Sequence, residues 1–494
     1  MTQNTGKTIK RNRKDILSAE WAWPTGSLDQ LLRAACQADD ATAMADFILW
    51  LGLNDIDEMQ FRDHRLLAAV AQRFGKRLGD CPEYPRLVGL QRQMWTRSRM
   101  AIADCTGLLS AMHAAGMTPM LLKGAARIAA HPNNQKARVA HDVDILLPPT
   151  QFRDGMIQLL DSDWHASSGA SRLRLLAEAE NLRAMNFFGG RFGDIDLHQW
   201  AYGDAPVHPE LEADLIAGAE PAVLMGVQVT IPSPTDRLAL AICHSGRDAH
   251  AHSDWIVDCA QIISDGRVDW SRLVLILTVA NAVTTGRIAL GYLRFRLDAP
   301  VPDAVLVKLD KSPDGGVLFR LSDTLEAKPR SEWGLVTRIV RGIAKQLRLA
   351  RQRRNHTALV RPIRGTRMRG TPAVENLVAT DVFVANLPDI CAGPCQFDIV
   401  VSLELPNCPR RVELELNSKT RHLTTLKYQK FSRRGGPVLL RFHGEVNLSE
   451  GTESIWISSR PGRFLRPGTK AREQARYGAL PLRIASEKIT PKPN

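Results

Sequence analysis

The chain has 494 residues, of which 44% are hydrophobic and 24% are charged, and its formal net charge is +13 at pH 7. This length is enough for two to four domains, and the composition is that of an ordinary globular protein. No run of eighteen apolar residues occurs, so we expect no transmembrane segment. The polar, basic N-terminus is followed by no apolar segment, so we expect no secretory signal. The eight cysteines are scattered without paired spacing, which favours reduced thiols and a cytoplasmic location.

The charge is unevenly distributed along the chain. Residues 326–494 hold 31 Lys and Arg against 14 Asp and Glu, whereas residues 1–325 hold 34 against 38. A template-dependent polymerase would be expected to carry a basic track for the nucleic-acid backbone beside its active site. The mildly acidic balance of residues 1–325 therefore argues against that class.

The first part of the chain predicts a tail followed by helices. Residues 1–14 are polar and basic, and we expect a disordered tail. Residues 15–118 repeatedly place apolar residues three and four positions apart, as in Leu67, Val70 and Phe74. This is the pattern of amphipathic helices, so we expect a helical N-terminal region that caps a neighbouring sheet.

Residues 120–148, MLLKGAARIAAHPNNQKARVAHDVDILLP, are the stretch with the most chemistry. The pattern predicts a strand ending in Lys123-Gly124, a short helix from Ala125, and a second strand over Val139–Leu147. The backbone N–H groups and the positive dipole end of that helix would attract phosphate. The Lys123 ammonium would add a point charge to the same place.

Carboxylates lie on two predicted strands. Asp142 and Asp144 are two residues apart, and Gly193–His198 predicts a strand on which Asp194, Asp196 and His198 share one face. An isolated pair of carboxylates is also common on a solvated strand face. If the two strands pair, three carboxylates meet opposite the helix N-terminus, which suits Mg²⁺ and a triphosphate.

These motifs resemble those of a known family. Lys123-Gly124, Arg138, Asp142-x-Asp144 and Asp196-Leu-His198 are similar to the motifs of the uncharacterised bacterial nucleotidyltransferases, within the polymerase-beta-like nucleotidyltransferase superfamily. The chain departs from the pattern in having Lys-Gly where the superfamily has Gly-Ser, in a longer gap before Asp142, and in His141. The resemblance covers residues 15–320 and includes downstream motif positions: Pro234, Asp236, Leu238, His244, Trp255, Asp258, Asp269 and Trp270.

The resemblance implies metal-dependent transfer of a nucleoside monophosphate from a nucleoside triphosphate to an acceptor hydroxyl or phosphate. By this resemblance, Asp142, Asp144 and Asp196 are the expected catalytic and metal-binding residues. They would bind two Mg²⁺ ions, with Mn²⁺ as the alternative metal. Arg138 would neutralise charge as pyrophosphate leaves, and His198 would orient Asp196. The expected substrate-binding residues are Lys123, Gly124, Arg138, His198, His244 and Asp258.

Residues 119–232 are therefore expected to form a small mixed-sheet nucleotidyltransferase α/β core, and residues 233–325 a helical bundle. Asn281 and Arg287 interrupt the apolar run of the bundle, which favours buried helices over a membrane span. The tract 244–254 holds three histidines and several acids. Because no two of its histidines have the i, i+4 spacing of a metal-binding helix, we interpret it as a solvated loop.

The C-terminal part differs in character. Residues 326–371 predict a basic amphipathic helix and a linker, in which arginines and lysines accumulate with almost no acids. Such a stretch is either a solvated connector or a contact for nucleic acid, an anionic membrane or a polyanionic glycan. Residues 372–494 consist of short β-rich runs between turns and predict a β-sandwich-like domain. The segment 456–484 resembles tails of bacterial glycan-assembly glycosyltransferases, which implies surface-polysaccharide metabolism.

The expected architecture is a multidomain α+β protein with a helical cap, a small mixed-sheet nucleotidyltransferase core, a helical bundle and a C-terminal β-sandwich. The expected partners are a nucleoside triphosphate and an acceptor that is a small molecule, a glycan or a protein, together with a polyanion at the basic helix. Two alternatives stay open. One is a non-catalytic binding or regulatory protein with this fold, and the other is a nucleic-acid-binding protein that acts through residues 332–369.

Overall fold

A computed structural model of the protein describes residues 18–162, 164–166, 175–176, 179, 182–202, 208–245, 253–312, 316–335 and 337–343. Toward the C-terminus it describes seven segments: 383–386, 393–403, 412–417, 422–432, 438–448, 454–461 and 483–491. The expected tail at residues 1–14 and most of the basic stretch and linker at 326–371 lie outside these residues.

Four long helices precede the first strand, as the apolar spacing predicts. Their bounds are α1 (Gly26–Cys36), α2 (Asp40–Leu51), α3 (Phe61–Phe74) and α4 (Tyr84–Ala114). Asp39 caps α2 by accepting a hydrogen bond from the Thr42 N–H. Leu67, Val70 and Phe74 of α3 are buried in the hydrophobic core, so the amphipathic pattern correctly identifies the inner face of this helix.

Seven strands form one mixed sheet in the order β3-β4-β5-β2-β1-β7-β6. Strand β2 is parallel to β5, whereas β1 is antiparallel to β2 and parallel to β7. The sheet is mixed as expected, but it is larger than the small sheet that the sequence predicts. The strand bounds are β1 (Met120–Leu121), β2 (Val143–Leu146), β3 (His165–Ala166), β4 (Ala184–Gly189), β5 (Gly193–His198), β6 (Glu220–Leu224) and β7 (Val227–Ile231).

The β6–β7 hairpin accounts for much of the difference. Its two turn residues, Met225 and Gly226, both have positive φ, at 49° and 87°. Two positive values are typical of the tight hairpin turn that matches strand twist, for which Asn-Gly is the usual sequence signal. A Met-Gly turn does not carry that signal, so the sequence does not predict this hairpin.

The elements around Lys123 begin and end at other residues than predicted. Helix α5 (Lys123–Ala130) begins at Lys123 and not at Ala125. Strand β2 is shorter than the expected Val139–Leu147, because the backbone before it bonds to side chains. The Val139 carbonyl accepts from Arg65 Nη2 at 3.1 Å, and the Ala140 N–H donates to Ser98 Oγ at 3.1 Å.

Two further helices, α6 (Pro149–Asp161) and α7 (Pro209–Ala217), follow within this region. The two faces of the sheet enter different cores. Val143 and Ile145 of β2 pack in a core with residues of α4 and α6. Leu146 of the same strand packs in the core of the helical bundle. Asp144 alternates with Val143 and Ile145, so its side chain is directed to the bundle side.

The predicted bundle is helical in the structure. It contains α8 (Pro234–Leu240), a π-helical turn at Ala241–Ser245, α9 (Asp254–Ser264), α10 (Trp270–Val279), α11 (Val283–Leu297), α12 (Asp303–Lys311) and α13 (Val317–Ala327). The apolar run is divided between α10 and α11 at Asn281, whose φ is +52°. Within the described parts of the chain, no helix combines the length and the apolar character needed to cross a bilayer.

The described C-terminal segments are seven strands, which confirms the expected β-rich character. They are β8 (Phe383–Asn386), β9 (Gly393–Leu403), β10 (Val412–Asn417), β11 (His422–Ser432), β12 (Val438–Leu448), β13 (Ser454–Pro461) and β14 (Arg483–Pro491). Their order is β14-β9-β12-β11-β10-β13-β8. Strand β11 pairs with β10 through its first half and with β12 through its second, with a register shift between Tyr428 and Lys430. A division into two packed sheets stays a prediction.

Candidate functional site

The site is built on two neighbouring parallel strands. In the register of β2 and β5, Asp144 lies directly opposite Asp196. The flanking pairs, Val143 with Ile195 and Ile145 with Leu197, belong to the apolar core on the other face. Because the pleats of paired strands are aligned, both carboxylates leave the same face of the sheet. The core packing of the alternate residues therefore fixes the position of the two acids.

Two basic side chains bridge these carboxylates. His198 Nε2 lies 3.2 Å from Asp144 Oδ1 and 3.1 Å from Asp196 Oδ2. Lys123 Nζ lies 2.5 Å from Asp144 Oδ1 and 4.0 Å from Asp196 Oδ2. The structure thus brings together four residues that the sequence predicts for the site, and we name them the carboxylate cluster.

Within the carboxylate cluster, the positive charges of the basic side chains offset the negative charges of the two acids. Burial raises the pKa of Asp144, but Lys123 and His198 oppose burial and hold this pKa well below its usual range. Burial lowers the pKa of His198, but Asp196 and Asp144 raise it to a net value above 6.5. The pKa of Lys123 is likewise raised, because the attraction of Asp144 and Asp196 outweighs burial. Ion pairing thus favours the charged form of each group.

Lys123 is held in an unusual backbone conformation. Its φ is +46°, in the left-handed region that favours glycine. The preceding residue is fastened to the adjacent strand, since the Leu122 N–H donates to the Asp144 carbonyl at 2.9 Å. Backbone conformations of this kind persist where surrounding contacts enforce them, and they concentrate at functional sites.

Three members of the carboxylate cluster have a geometry suited to a metal ion. One ligand atom from each of Asp144, Asp196 and His198 lies within 4.8 Å of the others. Carboxylate oxygens suit Mg²⁺ and Mn²⁺, and the imidazole nitrogen makes the set more favourable for Mn²⁺ than an all-oxygen set. Residues of these types fit a divalent cation, provided that the Lys123 ammonium moves away from Asp144 and that His198 releases the proton on Nε2.

Asp142 lies outside this group. It occupies a bend before β2 and is not one of the three clustered ligands. Its charge does act nearby, because Asp142 raises the pKa of Lys123 and of Arg138, behind the larger effects of burial and of other carboxylates. The metal-binding and catalytic role of Asp142 stays a prediction.

His244 lies within electrostatic reach of the carboxylate cluster. It belongs to the π-helical turn that follows α8. Lys123 is the largest cause that lowers the pKa of His244 well below 6.5, followed by burial and by Arg183. The imidazole is therefore neutral at physiological pH and can both donate and accept a hydrogen bond.

Arg138 and Asp258 form a second group, buried behind helix α5. Arg138 Nε donates to both carboxylate oxygens of Asp258, at 3.1 and 2.9 Å, and its Nη1 donates to the Val139 carbonyl at 2.7 Å and to Asp254. Arg65 donates to the same Asp254. These contacts join the segment before β2 to helices α3 and α9.

Gly124 contacts this group and not the carboxylate cluster. A Cβ atom at this position would lie 3.3 Å from Arg138 Nη2 and 3.5 Å from Ala140 Cβ. The absence of a side chain therefore lets the start of α5 lie against the guanidinium group of Arg138. The expected phosphate-cradling role of Gly124 stays a prediction, as does that of Asp258 in a substrate pocket.

Two residues of this group were missed. Arg65 was not singled out, and Asp254 was assigned to a solvated loop, which is wrong because it is 5% exposed and paired with two arginines. The i, i+4 spacing of Asp254 and Asp258, which places both on one helix face, is a signal that could have identified it. Residues 246–252 of the same tract lie outside the described residues.

Other residues of the expected downstream motifs have structural contacts. Asp236 accepts hydrogen bonds from Tyr202 at 2.5 Å and from Arg272 at 2.9 Å. Asp269 caps α10 by accepting from the backbone N–H groups of Ser271 and Arg272. These contacts fasten the bundle to the segment after β5.

Comparison with known families gives a match over part of the chain. No curated protein matches the chain significantly. Residues 59–295, which include α3 to α10, all but the last two residues of α11 and the whole seven-stranded mixed sheet, match the sequence model of a family described as uncharacterised nucleotidyltransferase. The expected similarity of segment 456–484 to glycosyltransferase tails is not supported by a match. Together with the carboxylate cluster, the match relates residues 59–295 to a nucleotidyltransferase family.

Proposed function

We propose that this chain is a metal-dependent nucleotidyltransferase that moves a nucleoside monophosphate from a nucleoside triphosphate to an acceptor hydroxyl or phosphate. The supporting observation is the register of β2 and β5, which sets Asp144 beside Asp196 with Lys123 in contact. A divalent cation bound by these carboxylates would neutralise phosphate charge and orient the phosphates for in-line displacement. Mg²⁺ and Mn²⁺ are the proposed metals, and a second ion would involve Asp142.

Each basic group has a role that follows from its contacts. Lys123 compensates Asp144 in the metal-free protein and would turn to the phosphates when a cation takes its place. His198 contacts both carboxylates and so orients them. Neutral His244 offers a hydrogen bond to the nucleotide or the acceptor.

For Arg138 we propose a positioning role in place of a direct contact with pyrophosphate. Its Nε and Nη1 groups already donate to Asp254, Asp258 and the Val139 carbonyl. Gly124 lies against the same guanidinium group. Arg138 thereby supports the start of α5, which carries Lys123.

The test is calorimetric titration of the full chain with ATP, CTP, GTP and UTP, each with Mg²⁺, with Mn²⁺ and with EDTA. The proteins compared are the wild type, the variant Asp144→Asn/Asp196→Asn, and Asp154→Asn, which removes an exposed acid from α6. We expect metal-dependent binding of at least one nucleotide in the wild type and in Asp154→Asn, and its loss in the double variant. Equal metal-dependent binding in all three proteins would contradict the proposal.

A second candidate is a non-catalytic nucleotide-binding protein of the same fold. It is favoured by the ion pairs of Asp144 with Lys123, at 2.5 Å, and with His198, at 3.2 Å. These pairs neutralise the Asp144 carboxylate without a metal ion. This candidate predicts nucleotide binding that is the same with EDTA as with Mn²⁺ and that persists in the double variant. The same titration therefore separates the two candidates.

The acceptor and its setting are proposed from the C-terminal resemblance alone. We propose an acceptor from surface-polysaccharide metabolism and a reaction in the cytoplasm. Product analysis by mass spectrometry after incubation with labelled nucleoside triphosphate and sugar-phosphate acceptors tests this choice. Transfer to water alone, with no labelled acceptor, would contradict it.

A further inference from the structure

The last described helix before the C-terminal strands has an exposed apolar face. Residues 335 and 337–343 are helical, and we name this segment the basic helix. Its residues Leu335, Ile339 and Ile343 are 75%, 55% and 57% exposed. A spacing of four residues places them in one row along the helix. Single exposed apolar residues are common on protein surfaces, but a continuous row of large ones marks an interaction surface.

The opposite face of the basic helix is held against the end of α13. The guanidinium carbon of Arg341 lies 4.5 Å from the centroid of the Trp333 ring. Trp333 Nε1 donates a hydrogen bond to the Lys328 carbonyl at 2.9 Å, and Lys328 Nζ donates to the Trp21 carbonyl at 3.1 Å. Arg341 follows Ile339 by two residues, which is about 200° around the helix axis. The packing of Arg341 on Trp333 therefore directs the apolar row away from the bundle.

The sequence around the apolar row is strongly basic. Between Glu332 and Glu375 the chain has eleven Lys and Arg and no Asp or Glu. One of these residues, Arg338, is exposed and lies about 100° from Ile339, beside the apolar row. A partner of this surface must therefore accept apolar side chains and carry negative charge next to them.

We propose that the basic helix binds the surface of an anionic lipid bilayer. The row of Leu335, Ile339 and Ile343 would enter the acyl-chain boundary, and the basic side chains would contact the phosphate groups of the lipids. A helix with one apolar and one basic face lies in the plane of such an interface. Anionic head groups attract basic residues near the surface. This surface uses no member of the carboxylate cluster, and its binding goes beyond the proposed nucleotidyl transfer.

The combination of charge and apolar exposure favours a bilayer over other partners. Nucleic acid binds basic residues through its phosphates and would leave the apolar row in water. Pairing with a second copy of the chain would bring two strongly basic segments together, which like-charge repulsion opposes. Residues 372–494 hold 18 Lys and Arg against 12 Asp and Glu, so the C-terminal part of the chain lacks a net charge of the opposite sign.

The test measures sedimentation of the full chain with vesicles of equimolar phosphatidylglycerol and phosphatidylcholine, and with vesicles of phosphatidylcholine alone. The variant Ile339→Gln/Ile343→Gln removes two side chains of the apolar row. Leu49→Gln/Leu53→Gln is the matched control, because these residues at the end of α2 are 55% and 70% exposed. Fluorescence anisotropy of a labelled DNA duplex measures nucleic-acid binding by the same proteins.

We expect the wild type and Leu49→Gln/Leu53→Gln to bind anionic vesicles with affinities within about twofold of each other, and Ile339→Gln/Ile343→Gln at least about tenfold more weakly. Binding should weaken as salt is raised and should be much weaker to phosphatidylcholine alone, because charge attraction contributes to it. Circular dichroism verifies that both variants are folded.

Four results would overturn the inference. They are an unchanged vesicle affinity in Ile339→Gln/Ile343→Gln, an equal loss in Leu49→Gln/Leu53→Gln, equal binding to both kinds of vesicle, and binding of the DNA duplex without binding of anionic vesicles. The last result would identify the basic helix as a nucleic-acid contact.

Discussion

Asp144 and Asp196 lie side by side in register on the parallel strands β2 and β5, and both contact His198 Nε2 within 3.2 Å. More than fifty residues of sequence separate Asp144 from Asp196, so the two acids are not neighbours in the chain. Strand pairing makes them one site. The charge at this site depends on Lys123 and His198 as well as on any cation that binds.

Removal of either paired acid should weaken metal binding strongly. We expect Asp144→Asn and Asp196→Asn each to weaken Mn²⁺ binding by at least about tenfold, because each removes one oxygen ligand and one negative charge. Asp154→Asn should bind Mn²⁺ as the wild type does. Mn²⁺ titration followed by electron paramagnetic resonance measures the free ion directly. Wild-type affinity in both single variants would refute the metal site.

Lys123 should oppose the metal and favour the nucleotide. We expect Lys123→Met to raise Mn²⁺ affinity in the absence of nucleotide by about tenfold, or ~1.4 kcal/mol, because it removes a cation in contact with Asp144. The same variant should weaken binding of the metal–nucleotide complex. Opposite changes in the two titrations are the expected signature. If the affinities for Mn²⁺ and for the metal–nucleotide complex changed in the same direction, Lys123 would act only through the stability of the fold.

The protonated state of His198 should contribute to stability in a pH-dependent way. Its folded pKa is raised above 6.5, because Asp196 and Asp144 outweigh burial. The contribution is therefore complete below pH 6.5 and is lost as the pH rises through the raised pKa. We expect the stability difference between wild type and His198→Asn, measured by urea unfolding with EDTA, to be largest at acid pH and to shrink above neutrality. A difference that grows with pH would contradict this assignment.

The buried pair of Arg138 and Asp258 should be structural. We expect Asp258→Asn to destabilise the protein by about 3–5 kcal/mol, because it leaves the buried Arg138 charge short of a partner. The matched comparison is the more accessible pair of Arg267 and Glu220, whose side chains are 58% and 30% exposed, and Arg267→Gln should cost less than about 1 kcal/mol. Denaturant unfolding measures both. Equal costs would show that burial does not distinguish the two ion pairs.

Two helical glycines should respond oppositely to alanine. In Gly124→Ala the new Cβ would lie 3.3 Å from Arg138 Nη2, a close contact with a buried group, so we expect destabilisation by about 1 kcal/mol or more. Gly107 of α4 has open space around its Cβ position, so Gly107→Ala should stabilise by about 0.5–1 kcal/mol through helix propensity. Thermal unfolding of the two variants gives the sign. Stabilisation by both would show that Gly124 does not need close approach to Arg138.

The amino-acid sequence alone determines the local patterns at this site. The alternation in Gly193–His198 places Asp196 and His198 on one face, and the spacing of apolar residues identifies the inner face of α3. These features depend on residues two to four positions apart, whose relation is set by the regular geometry of strands and helices. The family resemblance adds the expected chemistry, and residues 59–295 match a family with that description.

Only the tertiary structure decides which acids meet and which arginines support them. Strand β2 begins at Val143 because Arg65 and Ser98, distant in sequence, bond to the backbone of Val139 and Ala140, and this leaves Asp142 in a bend. Asp144 instead meets Asp196. The positions of Arg138, Asp254 and Asp258 depend likewise on contacts between elements far apart in the chain. Such contacts produce no periodic pattern in the local sequence, because the burial and ion pairing of these residues arise only when the elements pack together.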